Sequence, residues 1–178
     1  EVIERAIATL AVPVRFIRNE KNSDSVFKQW QKGAEVAEGD YVWIAEADDV
    51  AEQNFLEVVS GPLARGDIAL SYSQSAQMAE DGTQLAPDYF PYTDDISTQR
   101  WREDYINDGF DEIAEALCVK NTIPNASAVI FEKNALRNAL SDLMEVSPNV
   151  KVAGDWLVYL YVLQRGRIAY SAKVLNHH

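Results

Sequence analysis

Apolar positions change their period several times along the chain, and each change marks an element. Val2, Ile3, Ala6, Ile7 and Leu10 recur at helical spacing, Pro13 interrupts them, and Val14-Arg15-Phe16-Ile17-Arg18 then alternates as a half-buried strand does. After a polar, turn-like stretch from Asn19 to Ser25, the residues Val26, Phe27, Trp30, Ala34 and Ala37 share one face of a helix that Gly39 ends. Tyr41-Val42-Trp43-Ile44-Ala45 is a continuous apolar run, the pattern of a strand covered on both faces in a parallel sheet. A helix over Glu52–Leu63 carries Phe55, Leu56, Val59 and Leu63, and Ile68-Ala69-Leu70-Ser71-Tyr72 is the next strand.

Past Tyr72 the rhythm changes. Gln77-Met78-Ala79 and Thr83-Gln84-Leu85 flank Glu80-Asp81-Gly82, a hairpin signal. Ala86–Asn107 has no period but gathers Tyr89, Phe90, Tyr92, Trp101 and Tyr105, either as a binding or lid segment or as rings that pin an irregular excursion to the core. A short helix over Asp111–Leu117, a strand over Ala126–Phe131 and a helix over Asn134–Met144 follow. Beyond the polar Ser147–Lys151, a helix with Leu157, Tyr159, Leu160 and Leu163 starts near Asp155, and Arg167–Val174 holds one or two final strands. Strands alternating with helices at this interval predict crossover units, hence an α/β fold with a mixed, mainly parallel sheet flanked by helices. No repeat or linker divides residues 1–178, so a single domain is expected.

Composition narrows the function. Lys and Arg number 16 against 28 Asp and Glu, a formal charge of -12, so no basic stripe exists for nucleic acid. An acidic protein that handles an anionic substrate needs a local positive centre, and a bound cation would supply it. Cys118 is the single cysteine, which rules out an intrachain disulfide and suits a reducing compartment. No apolar run approaches the roughly 20 residues of a membrane helix.

The chemistry concentrates where Tyr41–Ala45 breaks into Glu46, Asp48 and Asp49. Carboxylates crowded together repel, and a divalent cation or a set of donors relieves them; hard oxygen ligands favour magnesium, manganese or calcium. The competing structural reading makes Asp48 or Asp49 a cap for the helix that follows. Downstream, Asp155 stands alone between Gly154 and Trp156, either as a helix cap or as a general base across a pocket from the acidic turn.

Three motifs in this order, Gly39 to Asp49 followed by Asn54-Phe55-Leu56-Glu57, then Asn121-Thr122-Ile123-Pro124-Asn125-Ala126-Ser127, then Gly154-Asp155-Trp156, resemble a family-2 inverting glycosyltransferase of the GT-A (Rossmann-like) fold. The resemblance spans nearly the whole chain. It implies transfer of a sugar from a nucleoside-diphosphate sugar to the hydroxyl of a carbohydrate or lipid-linked acceptor, with a divalent metal (Mn2+ or Mg2+), in bacterial cell-surface polysaccharide synthesis. Asp49 would be the metal ligand, Asp48 would meet the donor ribose or diphosphate, and Glu46 stands where the family usually has Asp. Asp155 matches the catalytic base. Lys21, Asn22 and Lys28 lie in the stretch that shapes the donor-base pocket, with Ser23 where a glycine is common. Trp156, Trp101, Tyr92 and Asn125 are the acceptor-side candidates.

The same resemblance implies a cytoplasmic protein, at the inner face of the membrane when full-length. It also implies a fragment without the N-terminal nucleotide-binding strands, not expected to turn over alone and prone to self-association through an exposed sheet edge. His177 and His178 would open a segment that closes over the diphosphate, or else be the stub of an affinity tag. The rival functional reading is a non-catalytic carbohydrate-binding or assembly domain. A magnesium phosphohydrolase is disfavoured because no lysine is placed to meet a phosphate.

Overall fold

The computed structural model describes residues 5, 7, 9–147 and 154–178. Most positions behind the expected N-terminal helix, and residues 148–153, lie outside them.

Helix α1 (Val26–Val36) starts where the Ser25 hydroxyl accepts a hydrogen bond from the Lys28 backbone N–H, and it buries Phe27, Trp30 and Ala34. Strand β1 (Tyr41–Trp43) leads into the acidic turn, and β2 (Val50–Ala51) leaves it. Helix α2 (Phe55–Ser60) tightens into a 3-10 turn, Gly61–Arg65, that ends at Gly66 with φ 80°. The long β3 (Ile68–Met78) and β4 (Gln84–Ala86) form the expected hairpin, with Gly82 at φ 84°. Next come α3 (Phe90–Thr93), β5 (Tyr105–Asn107) and α4 (Gly109–Glu112), which runs on as a π turn through Ile113–Leu117. Strand β6 (Val129–Glu132), α5 (Lys133–Val146), α6 (Gly154–Leu163) and β7 (Arg167–His177) complete the described elements.

The sheet has seven strands among the described residues, in the order β1-β6-β3-β7-β2, with β4 on β3 and β5 on β7. It is mixed, as expected, with helices on both faces. Its parallel share is smaller than expected: β3 and β7 pair parallel, while the other pairings are antiparallel. The cause is β6, which enters the sheet between β1 and β3 running against both. Two antiparallel steps nonetheless leave β1 pointing the same way as β3 and β7.

Alternation along the central strands divides the core. Leu70, Tyr72, Val129, Phe131, Ile168 and Tyr170 face α1, α5 and α6, whereas Ile68, Ile130, Ala169 and Leu175 face Phe55, Val59 and Leu63 of α2 and its 3-10 turn. Each fully buried aliphatic side chain of this kind stabilises the fold by about 1.5–3 kcal/mol.

Three expectations are corrected. Val14–Arg18 forms no strand: Val14, Phe16 and Ile17 are exposed, and no described neighbour offers the backbone partners a strand requires. Strand β1 stops at Trp43 and is an edge among the described residues, paired to β6 alone, so Tyr41 is exposed and Val42, Trp43 and Ile44 are half-buried. The helix expected from Glu52 begins at Phe55, because the chain first extends to pair Val50 with His177 and Ala51 with Asn176. His177 and His178 belong to the sheet: His177 pairs with Ala76 in β3, and the His178 carbonyl accepts from Met78 N–H at 2.8 Å.

Candidate active site

Topology assembles the site. Because β1, β3 and β7 share a direction, the end of β1, the start of the oppositely running β6, the end of β7 and the start of α6 fall at one rim. Residues 44–49 leave β1 at one side of the described sheet and reach β2, paired to the end of β7, at the other. The carboxyl ends of strands are the rim where open α/β sheets bind ligands.

At that rim lies a cavity of about 830 Å3, bounded by Asn22–Phe27, Glu46, Pro124–Ala126, Gly154 and Asp155. The volume is that of a small-molecule site. Its α1 side is shaped by a turn in which Asp24 takes φ 54° and donates its N–H to the Asn22 side chain. Gly154 is required where it stands, since a Cβ there would lie 2.3 Å from the buried Phe27 ring. That close approach sets Asp155 beside the cavity.

The acids of the turn are held from the Asn121–Ser127 segment. Asn125 Nδ2 donates to Asp49 Oδ2 at 2.9 Å, Ser127 Oγ accepts the Glu46 N–H at 2.9 Å, and the Ser127 carbonyl accepts Trp43 Nε1 at 2.8 Å. Asn121 Nδ2 donates to Asp155 Oδ2 at 3.1 Å. Neither Asp48 nor Asp49 caps a helix, because α2 starts downstream at an Asn54 whose side chain makes no capping bond. The capping alternative is therefore not what this turn does.

Electrostatics tie the acids together. Glu46 is raised above the usual carboxylate range, first because packing strips part of its hydration and then because Asp49, Asp48 and Asp155 all repel its charge. One carboxylate thus senses both halves of the predicted site. Among the described residues no lysine or arginine pairs with Glu46, Asp48, Asp49 or Asp155. No three acidic, histidine or cysteine side chains converge on a metal position among the described residues either. The donor set nevertheless fits a hard divalent cation of the magnesium type, which binds through one or two carboxylates and takes its remaining ligands from water and substrate phosphates.

The other predicted residues divide. Asn22 borders the cavity, while Lys21 and Lys28 are exposed and outside its boundary. Trp101 is buried in the core, 1% exposed, with Nε1 donating to the Tyr72 hydroxyl, so it pins the irregular segment and does not reach the cavity. Trp156 is half-buried and donates Nε1 to the Leu117 carbonyl at 3.0 Å. Tyr92 is exposed, with the Lys120 ammonium 4.5 Å above its ring. Asn125 is turned toward Asp49.

Several residues here escape a reading of the sequence. Asn121 and Ser127 lie inside a recognisable motif, but their contacts span the fold. Tyr89 and His178 sit side by side, hydroxyl to Nε2 at 2.6 Å, and both feel the charge of Asp49. Burial lowers the His178 pKa and Asp49 partly offsets this. The buried Tyr159 hydroxyl has no hydrogen-bond partner among the described residues, and desolvation, then Asp155 and Glu46, push its pKa well up.

Residues 1–121 match the sequence profile of Glycosyl transferase family 2. No curated protein matches the chain.

Proposed function

We propose, from the premise that this chain belongs to glycosyl transferase family 2, that it transfers a sugar from a nucleoside diphosphate to an acceptor hydroxyl with inversion, using Asp155 as the base. The observation that carries this reading is that Glu46 of the acidic turn and Asp155 border one cavity of substrate size, with Asp48 and Asp49 outside its boundary but close enough to repel the Glu46 charge. Among the described residues only Asn121 donates to the Asp155 carboxylate, at Oδ2, which leaves Oδ1 to meet a hydroxyl. The acceptor oxygen attacks the anomeric carbon, its proton passes to Asp155, and the bond to the diphosphate breaks with its electron pair on the leaving oxygen.

Asp49 would hold a divalent cation, manganese or magnesium, with Asp48 on the donor side of the turn. Such a cation, when bound, offsets the negative charge that grows on a departing diphosphate. A net charge of -12 leaves the protein little other means of doing so. Asn22 and the turn around it border the cavity where a nucleotide base would rest.

The test is a screen of nucleotide sugars with manganese, by calorimetry and by release of the nucleotide. Asp49→Ala should abolish metal-linked binding, whereas Asp155→Asn should bind as the wild type does and not turn over. A protein that binds no nucleotide sugar with or without metal would refute the assignment and favour a non-catalytic carbohydrate-binding role.

A further inference from the structure

We infer that Asn121–Ser127 is a positioning strap: the side-chain amides of Asn121 and Asn125 each hold one of the two working carboxylates, so the strap sets the separation of Asp49 from Asp155. This rests on the roles just proposed for those two acids. Asn121 donates to Asp155 Oδ2 at 3.1 Å and Asn125 to Asp49 Oδ2 at 2.9 Å.

The direction of each amide is fixed locally. The Asn121 Oδ1 accepts the Ile123 N–H at 3.3 Å, and the Asn125 Oδ1 accepts the Ser127 N–H at 2.5 Å. An asparagine oxygen committed to the backbone two residues on leaves only its N–H groups to face outward, and these can meet an acceptor such as a carboxylate. Either amide flipped would set oxygen against oxygen.

The strap itself is rigid. Thr122, Ile123, Ala126 and Ser127 are each at most 5% exposed, Pro124 restricts the middle, and the segment passes through a 3-10 turn directly into β6. Ser127 adds two further bonds, to Glu46 N–H and Trp43 Nε1, that fix the near end of the acidic turn. A loose strap would let the two carboxylates drift independently, and displacement of a reacting group by about 1 Å can cost on the order of a hundredfold in rate. Asn125, which also borders the cavity, is therefore a positioning residue for the metal-side acid.

A strap that merely stabilises the fold would, when damaged, depress all activity alike. A ruler gives a split. With whichever donor the wild type turns over, Asn121→Ala is expected to lower kcat about ten- to a hundredfold while donor KM stays within about twofold. Asn125→Ala is expected to raise donor KM by a similar factor with kcat nearly unchanged. Equal losses of both parameters in both variants, or no change in either, would overturn the strap.

A second measurement needs no turnover and no variant of the strap. In a 15N-labelled sample, Asp155→Ala should shift the Asn121 side-chain amide signals and spare those of Asn125, and Asp49→Ala should do the reverse. If neither pair responds to its own carboxylate, the strap is wrong even where glycosyl transfer is intact. If the signals respond but no nucleotide sugar binds, the strap stands and the proposed reaction fails.

Discussion

Glu112 is 0% exposed, yet it carries a carboxylate that accepts from the Arg100 guanidinium, from the Tyr105 hydroxyl at 3.1 Å and from Asn107 Nδ2 at 3.1 Å. Burial by itself would pull the Arg100 pKa down, but the charge of Glu112, with Tyr105 and Glu115, raises it above its ordinary value, so the guanidinium stays charged. Truncation to Ala would leave a largely buried guanidinium with only the exposed Glu115, and two donors without their acceptor. Breaking one side of a buried ion pair costs about 3–5 kcal/mol. At about 2–4 °C per kcal/mol for a domain of this size, Glu112→Ala should lower Tm by roughly 6–20 °C.

Chemical denaturation followed by circular dichroism, and calorimetry at neutral pH, measure the loss. Joint replacement by apolar residues, Arg100→Met with Glu112→Leu, should recover a large part of it, because two buried charges are then removed together. The same contact matters for the site. Glu112 anchors the turn that ends at Leu117, whose carbonyl accepts from Trp156 beside Asp155. A Glu112→Ala protein within about 1 kcal/mol of wild type would refute the claim that this cluster supports the segment.

The remaining predictions concern charge and association. The folded pKa of Glu46 lies above its unfolded value, so the contribution of this group to stability is complete below about pH 4.5 and is lost as pH rises through the folded pKa. Glu46→Gln should therefore melt higher than wild type at pH 7 and match it at pH 3.5, and an unchanged difference across that range would count against the crowding of acids. Manganese or magnesium should raise the melting temperature of wild type and leave Asp49→Ala unmoved, by preferential binding to the native state. Strand β1 is an edge among the described residues, and Leu10, Val12, Val14, Phe16 and Ile17 are exposed near the start of the chain. Concentration-dependent dimers or larger species are expected by sedimentation, and strictly monomeric behaviour at high concentration would refute it.

Helix α1, the hairpin at Gly82 and the burial of β3 were legible because local signals and tertiary context agree there. The period of Val26–Ala37 fits its packing, Asp81-Gly82 supplies a residue for positive φ, and Ile68–Tyr72 is apolar enough for a central strand. Val14–Arg18 shows the opposite case. Its alternation is that of a strand, but strand formation is a property of a pair, and no partner lies beside it among the described residues. The interposed β6 was illegible for the same reason. Nothing in Val129-Ile130-Phe131 states which way its neighbours run, so an antiparallel insertion and a parallel one read alike.

The site divides along the same physical line. Asp48, Asp49 and Asp155 could be singled out because unpaired acids next to apolar runs are conspicuous in one dimension. Asn121, Asn125 and Ser127 could be named as part of a motif but not as supports of these acids, because their partners lie far along the chain: 34 positions from Asn121 to Asp155 and 76 from Asn125 to Asp49. Trp101 misled for a related reason. A tryptophan in an aperiodic stretch reads as a surface for ligands until a buried acceptor for its Nε1, here the Tyr72 hydroxyl, shows that the ring is holding the excursion to the core. Crowded acids without cations raise an electrostatic cost that the fold must meet with donors, and the donors nearest in space are the side-chain amides of Asn121 and Asn125 on one segment. The carboxylates advertise chemistry, and the neutral groups facing them decide whether that chemistry has a geometry.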